Sequence, residues 1–399
     1  MKKTIFSFLL LINCAFAQVK NGEAVSDIDF ATVLNAPVRN IRLSQLKGKV
    51  VLVEFWATWC GSCLEAMPHL KQLQERYPER LQVIAVTEET EKRTGQYLLS
   101  RPSNLWFAVD TAGVIGALFP HQLIPHTVLI SPDGRLIANT DPAGVIAEVI
   151  DSVLANKEVH LTEKKDNLLT YEELIKDNFF ASDTVKYRFM IQPEIKGAPS
   201  LSTTYIRDEV FDGRRITAIN LPILALYRVA YGGWPYGRMV DKTHVSDKAS
   251  GHNKEPGYCL DIIVENKRVL LPALKKELLS RFEVQARIEK QRKEVYVLTI
   301  ADAERFKKIP VDTSGVRTYY ARHGEIDQQS MTMADLAEYL ESYGTGRLPV
   351  VDETYCDKRF DIKFTFQPED PASLTRILAD MGLRLEKGQR EIDMLVLYK

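Results

Sequence analysis

The segment Val53-Glu54-Phe55-Trp56-Ala57-Thr58-Trp59-Cys60-Gly61-Ser62-Cys63 constrains this chain most. An apolar run over residues 50–55 reads as a buried strand and stops at a tryptophan-rich turn. Two cysteines follow, two residues apart. A helical pattern then begins, with Leu64, Met67, Leu70 and Leu73 recurring at spacings of three. A helix N-terminus carries partial positive charge and unpaired N–H groups. It therefore favours thiolate over thiol at Cys60, and the thiolate is the nucleophile. Cysteines so placed have pKa values of roughly 3.5–7.5, against about 8.5 for a free thiol. Cys63, one turn in, is expected to be shielded and to resolve the mixed disulfide formed at Cys60. Two readings compete. A static disulfide would close a ring too small to add much entropic stabilisation. A structural zinc site needs a second ligand pair, and none follows nearby.

The segment resembles the active site of the thioredoxin superfamily, most of all its secreted TlpA-like branch. Pro68, five residues after Cys63, falls where that family kinks its first helix. Ile124-Pro125-His126-Thr127, followed by Val128-Leu129-Ile130, is similar to the family's cis-proline strand. Ser131-Pro132-Asp133-Gly134 reads as a hairpin turn by its own chemistry. The resemblance spans residues 24–156 and implies an α/β thioredoxin fold, a central mixed sheet flanked by helices. It also implies roles. Cys60 should be exposed. Glu54 stands where the family places a buried acid behind the resolving cysteine. Burial would raise its pKa towards neutrality and let it shuttle the Cys63 proton. The family more often has Asp there, which leaves the proton path open, and a Glu reaching a strand edge is the competing reading. Pro125, expected as cis rather than in a trans turn, would bring the backbone of Ile124 beside the cysteines to pair with an extended substrate strand. Trp59, Gly61 and Ser62 join Ile124 as substrate-binding candidates, with Trp56 packed around the turn. His121 and His126 lie near the site in sequence but read as solvent-facing. No metal and no cofactor is needed for the chemistry implied.

The length of 399 residues suggests two or three domains, and a hydrophobic content of 45% can supply their cores. A net charge of −1 gives no argument for nucleic acid or an anionic membrane surface. Lys2-Lys3, an apolar run over 5–12 and Ala15-Phe16-Ala17 read as a signal peptide over residues 1–17. Its apolar run is too short to span a bilayer. Lipidation at Cys14 is the alternative, and Asn13 before it argues against that. Cleavage leaves Cys60, Cys63, Cys259 and Cys356; the last two either bridge or stay free. No later run is long and apolar enough for a membrane helix.

Strands are expected over 50–55, 81–87 and 106–109, helices over 63–77 and 91–100, a hairpin over 128–130 and 136–139, and a closing helix over 145–156. Alternating strands and helices build a layered α/β domain. Residues 157–184 are polar and charged, with a helical patch over 171–176, and read as a linker. Residues 185–399 carry an internal repeat. Leu260-Asp261-Ile262 recurs as Phe360-Asp361-Ile362, and Leu274 and Leu278 as Leu374 and Leu378. Val240-Asp241-Lys242-Thr243 parallels Val351-Asp352-Glu353-Thr354, and Ile223 and Leu226 parallel Met333 and Leu336. Each copy reads strand, helix, strand, strand, helix, strand, giving an α+β domain of two tandem βαββαβ-like repeats. The second copy resembles small modules of secretins and some TonB-dependent receptors. The tandem resembles an uncharacterised C-terminal family of exported bacterial proteins, through Arg215-Ile216-Thr217-Ala218, Ala230-Tyr231-Gly232 and Arg347-Leu348-Pro349-Val350-Val351-Asp352. His244, His252 and Cys259 share a loop whose spacing matches no metal site. Arg347, Asp352 and Arg359 read as solvated or structural. Trp234-Pro235-Tyr236 reads as a packed turn, with an exposed binding patch as the alternative.

The expectation is an exported thiol–disulfide oxidoreductase acting on protein or peptide disulfides and re-reduced by a membrane electron donor. The rival is an envelope binding or scaffolding protein whose tandem modules grip a partner, with the redox pair regulatory. Peroxide reduction is disfavoured, because Ala57 occupies the slot where peroxidases of the superfamily carry Thr.

Overall fold

The computed structural model describes residues 19–243, 256–322, 324–346 and 348–399. The expected signal peptide, Cys14, His244, His252 and Arg347 lie outside them. Two compact units, Met1–Leu168 and Leu169–Lys399, divide the chain.

The first unit runs β1 (Asp29–Phe30), β2 (Val33–Leu34), β3 (Ile41–Arg42), β4 (Val50–Phe55), α1 (Gly61–Arg76), β5 (Leu81–Thr87), α2 (Glu91–Ser100), β6 (Trp106–Val109), α3 (Val114–Leu118), β7 (His126–Ile130), β8 (Leu136–Thr140) and α4 (Ala147–Leu154). Six strands form one mixed sheet in the order β2-β6-β5-β4-β7-β8. β4 pairs parallel with β5 and antiparallel with β7. It is buried along its whole length, and a strand covered on both faces needs a near-continuous apolar run. Val50 and Leu52 pack on one face with Cys63, Met67 and Leu70 of α1. Val51, Val53 and Phe55 pack on the other with Val128 and Ile130. Each such aliphatic side chain contributes roughly 1.5–3 kcal/mol on burial. Glu54 is the polar exception in β4.

The expected strands over 50–55, 81–87 and 106–109 and the helix over 91–100 stand as read. α1 starts two residues earlier than the apolar spacing indicates, because Cys60 itself caps it. Pro68 sits inside α1, where it removes the N–H that would bond to the Leu64 carbonyl. The closing helix is shorter than expected, since a 3-10 turn over Pro142–Gly144 and extended backbone at Ile146 precede it. The two-residue strands β1 to β3 are too short to show periodicity.

The stretch expected as a linker is shared between the units. Val159 and Leu161 pack against the first core, and Lys164 N donates to Asn139 O (3.0 Å). Further on, α5 (Tyr171–Phe179) carries a capping box formed by Thr170 and Glu173. Its Leu174 and Phe179 pack with Ile219 and Cys259 of the second unit. Polar composition concealed both attachments, because few side chains make them.

The second unit continues with β9 (Arg188–Pro193), β10 (Leu201–Thr204), β11 (Arg215–Leu221), α6 (Ile223–Ala230), β12 (Met239–Asp241), β13 (Tyr258–Ile263), α7 (Leu270–Arg281), β14 (Gln285–Ile300), α8 (Ala303–Phe306), β15 (Tyr320–Arg322), β16 (Glu325–Met331), α9 (Met333–Tyr343), β17 (Val350–Asp352), β18 (Phe360–Thr365), α10 (Pro371–Asp380) and β19 (Leu383–Tyr398). Both copies follow the expected βαββαβ order, from β11 to β14 and from β16 to β19. Leu274, Leu278, Leu374 and Leu378 are buried at matching positions. Thr243 N donates to Asp241 Oδ1 (2.8 Å) and Thr354 N to Asp352 Oδ1 (2.9 Å), the same turn twice. The copies are interlocked. β14 and β19 pair antiparallel from Gln285↔Tyr398 to Ile300↔Leu383. β12 of the first copy then pairs parallel with β19 of the second, and β17 of the second with β14 of the first.

Candidate active site

Cys60 and Cys63 form a disulfide with an S–S distance of 2.03 Å at the start of α1. Cys63 N donates to Cys60 Sγ (3.1 Å), so this sulfur meets the orphan N–H groups that favour its anionic form once the bond opens. Ser62 Oγ lies 3.6 Å from the same sulfur and Ile124 O lies 3.8 Å from it. The Ile124–Pro125 peptide is cis, and β7 begins at the next residue, paired with β4 as Phe55↔His126 and Glu54↔Thr127. The topology therefore brings together Cys60, Cys63, Ser62, Ile124 and Pro125. Trp59 is 62% exposed, Gly61 and Ser62 are exposed, and Trp56 is buried against Tyr97 and Phe107.

Two expectations need correction. Cys60 was expected to be exposed, yet it retains only 6% of its surface against 1% for Cys63. Bonding to Cys63 draws its sulfur onto the helix mouth beside the Ile124 carbonyl. It remains the more accessible of the two. His121 and His126 were expected to face solvent, yet their rings stack at 4.6 Å and 6°. Both lie against Phe55 (4.4 and 5.9 Å). His126 is buried, and burial, His121 and Lys164 together push its pKa down to about 3. His126 is the first residue of β7, and the rings of Phe55 and His121 cover its imidazole.

Glu54 is fully buried. Side chains alternate along a strand, so Glu54 shares the face of Val50 and Leu52, the face packed with Cys60 and Cys63. Its Oε2 accepts from Thr127 Oγ1 (2.5 Å), and Oε1 has no hydrogen-bond partner among the described residues. Desolvation pushes its pKa up to about 8; the Thr127 hydroxyl and the Lys164 ammonium oppose that rise, and Asp141 adds to it. The carboxyl thus holds a proton near neutral pH and can release one.

Sequence reasoning missed Glu89. Its Oε2 accepts from Thr58 N (2.6 Å) and its Oε1 from Thr58 Oγ1 (2.7 Å), which fixes the turn two residues before Cys60. Nothing in the polar run around Glu89 signals this. Cys259 and Cys356 are free thiols rather than a bridge. Cys259 is buried and exchanges contacts with Asn220 N (3.3 Å) and Oδ1 (3.1 Å). In the second unit, Arg228 Nε donates to Trp234 O (2.5 Å) and its guanidinium covers one face of Tyr236, which anchors the Trp234-Pro235-Tyr236 turn while Tyr236 itself stays 55% exposed. Arg359 donates to Ser330 O (2.8 Å), a structural role.

Residues 22–138 match the AhpC/TSA family. The first unit is a redoxin domain. Residues 246–399 match a family described only as a protein of unknown function, DUF3738. The thioredoxin-like protein YneN of Bacillus subtilis (strain 168) is 28% identical over 145 residues, which cover 35% of this chain and 77% of YneN. The thiol-disulfide oxidoreductase ResA of Bacillus thuringiensis subsp. konkukian (strain 97-27) is 31% identical over 101 residues, 25% of this chain. The match spans 58% of that ResA, little more than half its length. Among solved structures, the exposed lipoprotein thioredoxin of Streptococcus pneumoniae strain TIGR4 is 22% identical, covering 33% of this chain and 97% of that one, at a TM-score of 0.28. Of these relatives, ResA is named a thiol-disulfide oxidoreductase and YneN a thioredoxin-like protein. Among the described residues no helix is long and apolar enough to cross a membrane.

Proposed function

We propose that this chain catalyses dithiol–disulfide exchange on protein or peptide disulfides, in an exported compartment, through the Trp59-Cys60-Gly61-Ser62-Cys63 segment. The observation that carries the reading is the Cys60–Cys63 disulfide at the mouth of α1, beside the Ile124 carbonyl. In the reducing direction the Cys60 thiolate attacks one sulfur of a substrate disulfide. That S–S bond breaks, and the first substrate sulfur leaves as a thiolate and takes a proton. Cys63 then gives its proton to the ionised form of Glu54, the minor form below a pKa of about 8 and a growing share as pH rises towards it, and attacks Cys60 Sγ. The second substrate thiolate leaves, and the substrate has gained the two electrons that the enzyme dithiol lost. The reverse sequence oxidises a substrate dithiol. Net reduction needs an external dithiol donor, which we place at the membrane. The substrate strand lies along the Ile124–Pro125 backbone by β-addition, with Trp59 as an exposed contact.

The sequence of residues 1–17 supports export, since its basic, apolar and small-residue segments are those of a signal peptide. Two variants test the chemistry. Cys60→Ser should abolish insulin disulfide reduction with dithiothreitol. Cys63→Ser should retain the substrate on Cys60 as a mixed disulfide, read by mass on a non-reducing gel. Equal turnover by wild type and Cys60→Ser would overturn the proposal and leave the binding reading.

A further inference from the structure

We propose that Lys164 and Asp166 are positioning residues for the substrate-binding backbone: a strap over residues 162–166 clamps the Gln122–Leu123 loop so that the Ile124 carbonyl stays beside Cys60. The inference rests on the exchange reading above. The strap lies along β8, where Thr140 Oγ1 donates to Thr162 O (2.8 Å) and Lys164 N to Asn139 O (3.0 Å). From there Lys164 and Asp166 turn inward, while Glu163 and Lys165 pair with each other on the exposed side (3.0 Å). Asp166 Oδ2 accepts from Gln122 N (2.9 Å) and Leu123 N (2.7 Å). Lys164 Nζ donates to Leu123 O (2.6 Å) and to Asp166 Oδ2 (3.1 Å), and reaches His126 Nδ1 at 3.5 Å. The two side chains are 12% and 3% exposed.

Burying an ammonium and a carboxylate is unfavourable unless each is paired and hydrogen-bonded. Here the contacts that satisfy the pair beyond itself fall on residues 122, 123 and 126, the immediate flanks of Ile124–Pro125. A charge pair placed only to fasten the strap could have bonded to β8 or stayed in solvent. This one fixes both the N–H groups and the carbonyl that lead into residue 124. Strand pairing with a substrate depends on where the residue 124 backbone stands, and a displacement of about 1 Å is enough to lose a productive alignment. The strap also lies beyond residue 138, where the family match ends, so this loop is held by a part of the chain outside the matched region.

The experiment uses the full chain as wild type, Lys164→Met, Asp166→Asn and Lys164→Arg. Two substrates are compared: insulin, whose peptide can pair with residue 124, and bis(2-hydroxyethyl) disulfide, which has no peptide backbone. Lys164→Met and Asp166→Asn should raise KM for insulin about tenfold, the scale of one charge-assisted hydrogen bond; Asp166→Asn should leave kcat and the small-disulfide rate within about twofold, whereas Lys164→Met also removes a charge that opposes the rise of the Glu54 pKa and is judged on KM. Lys164→Arg should recover most of the loss. Equal losses on both substrates, or an unchanged KM for insulin, would overturn the positioning role. Amide exchange at Leu123 gives a reading that needs no turnover. Asp166→Asn should accelerate it at least tenfold, and unaltered exchange refutes the clamp. If wild type proves inactive on insulin while that exchange accelerates, the failure belongs to the exchange reading and the clamp has no substrate to position.

Discussion

Glu54 couples folding to pH in a direction that can be worked out. Its carboxyl ionises near 4.5 when unfolded and near 8 when buried. Between those values the folded state holds a proton that the unfolded state has lost, so stability falls as pH rises. The contribution is whole below pH 4.5 and gone above about 8. His126, kept neutral down to about 3, adds the opposite slope below its ordinary pKa near 6.5, so the comparison of variants carries the test. Glu54→Gln should flatten the loss of stability between pH 5 and 9, measured by urea unfolding at several pH values. An identical slope in both proteins would remove Glu54 from the account. The same substitution should slow substrate release from the Cys60 mixed disulfide by about 10²-fold, the ordinary scale of a positioned proton acceptor. Cys60, Cys63 and Glu54 were legible because a strand, a turn and a helix in immediate succession fix their neighbourhood, and Pro125 through the resemblance of the strand it precedes. Lys164, Asp166 and Glu89 were not, because they are ordinary charged residues whose partners lie far along the chain. The two histidines misled because local polarity says nothing about which side of a sheet the chain enters.

Among the elements, the turn from α10 into β19 is the least forgiving. Gly382 adopts φ +76°, and a Cβ there would stand 2.3 Å from Asp302 O and 2.6 Å from Phe306 N. Both are backbone atoms. Gly382 O also accepts from Ala301 N (2.9 Å) and Asp302 N (3.1 Å), so the turn cannot swing away freely. Gly382→Ala should therefore destabilise the second unit by at least about 2 kcal/mol, the left-handed penalty plus overpacking. Gly315, at φ +67° with open space around it, supplies the control; Gly315→Ala should cost about 1 kcal/mol. Urea midpoints of the two variants decide the matter, and equal midpoints would contradict the steric account. The elements β1 to β3, α3, β9, β10, α8 and β15 went unread, while the longer elements were readable from period and length. Their ends were less so, since α1 begins where a cysteine sulfur, not an apolar residue, supplies the cap.

For the molecule as a whole, the repeat was visible in its recurring residues, but the exchange of β12 and β17 was not. Alternation tells which face of a strand is buried and leaves its neighbour undetermined. The exchange is fastened by Arg238 and Glu341. Arg238 donates to both Glu341 oxygens (3.0, 3.0 and 2.9 Å) and to Val350 O (2.8 Å). Glu341 is 1% exposed and also accepts from Val350 N (2.9 Å). Glu341→Ala should lower stability by about 3–5 kcal/mol, because it strands a half-buried guanidinium. Adding Arg238→Met should restore part of that loss, and a double-mutant cycle on urea midpoints measures the coupling. Additive losses would show that the pair does not act as one unit. The interlocking also sets an order of events during synthesis. β14 leaves the ribosome well before β19, and at about 5–20 residues per second it waits several seconds for its antiparallel partner. Throughout that wait both of its edges are open to neighbouring chains. Arg287, Glu289, Lys290, Arg292, Lys293 and Glu294 crowd the waiting ribbon with charge, which guards a nascent polypeptide against sticking to its neighbours on a polysome.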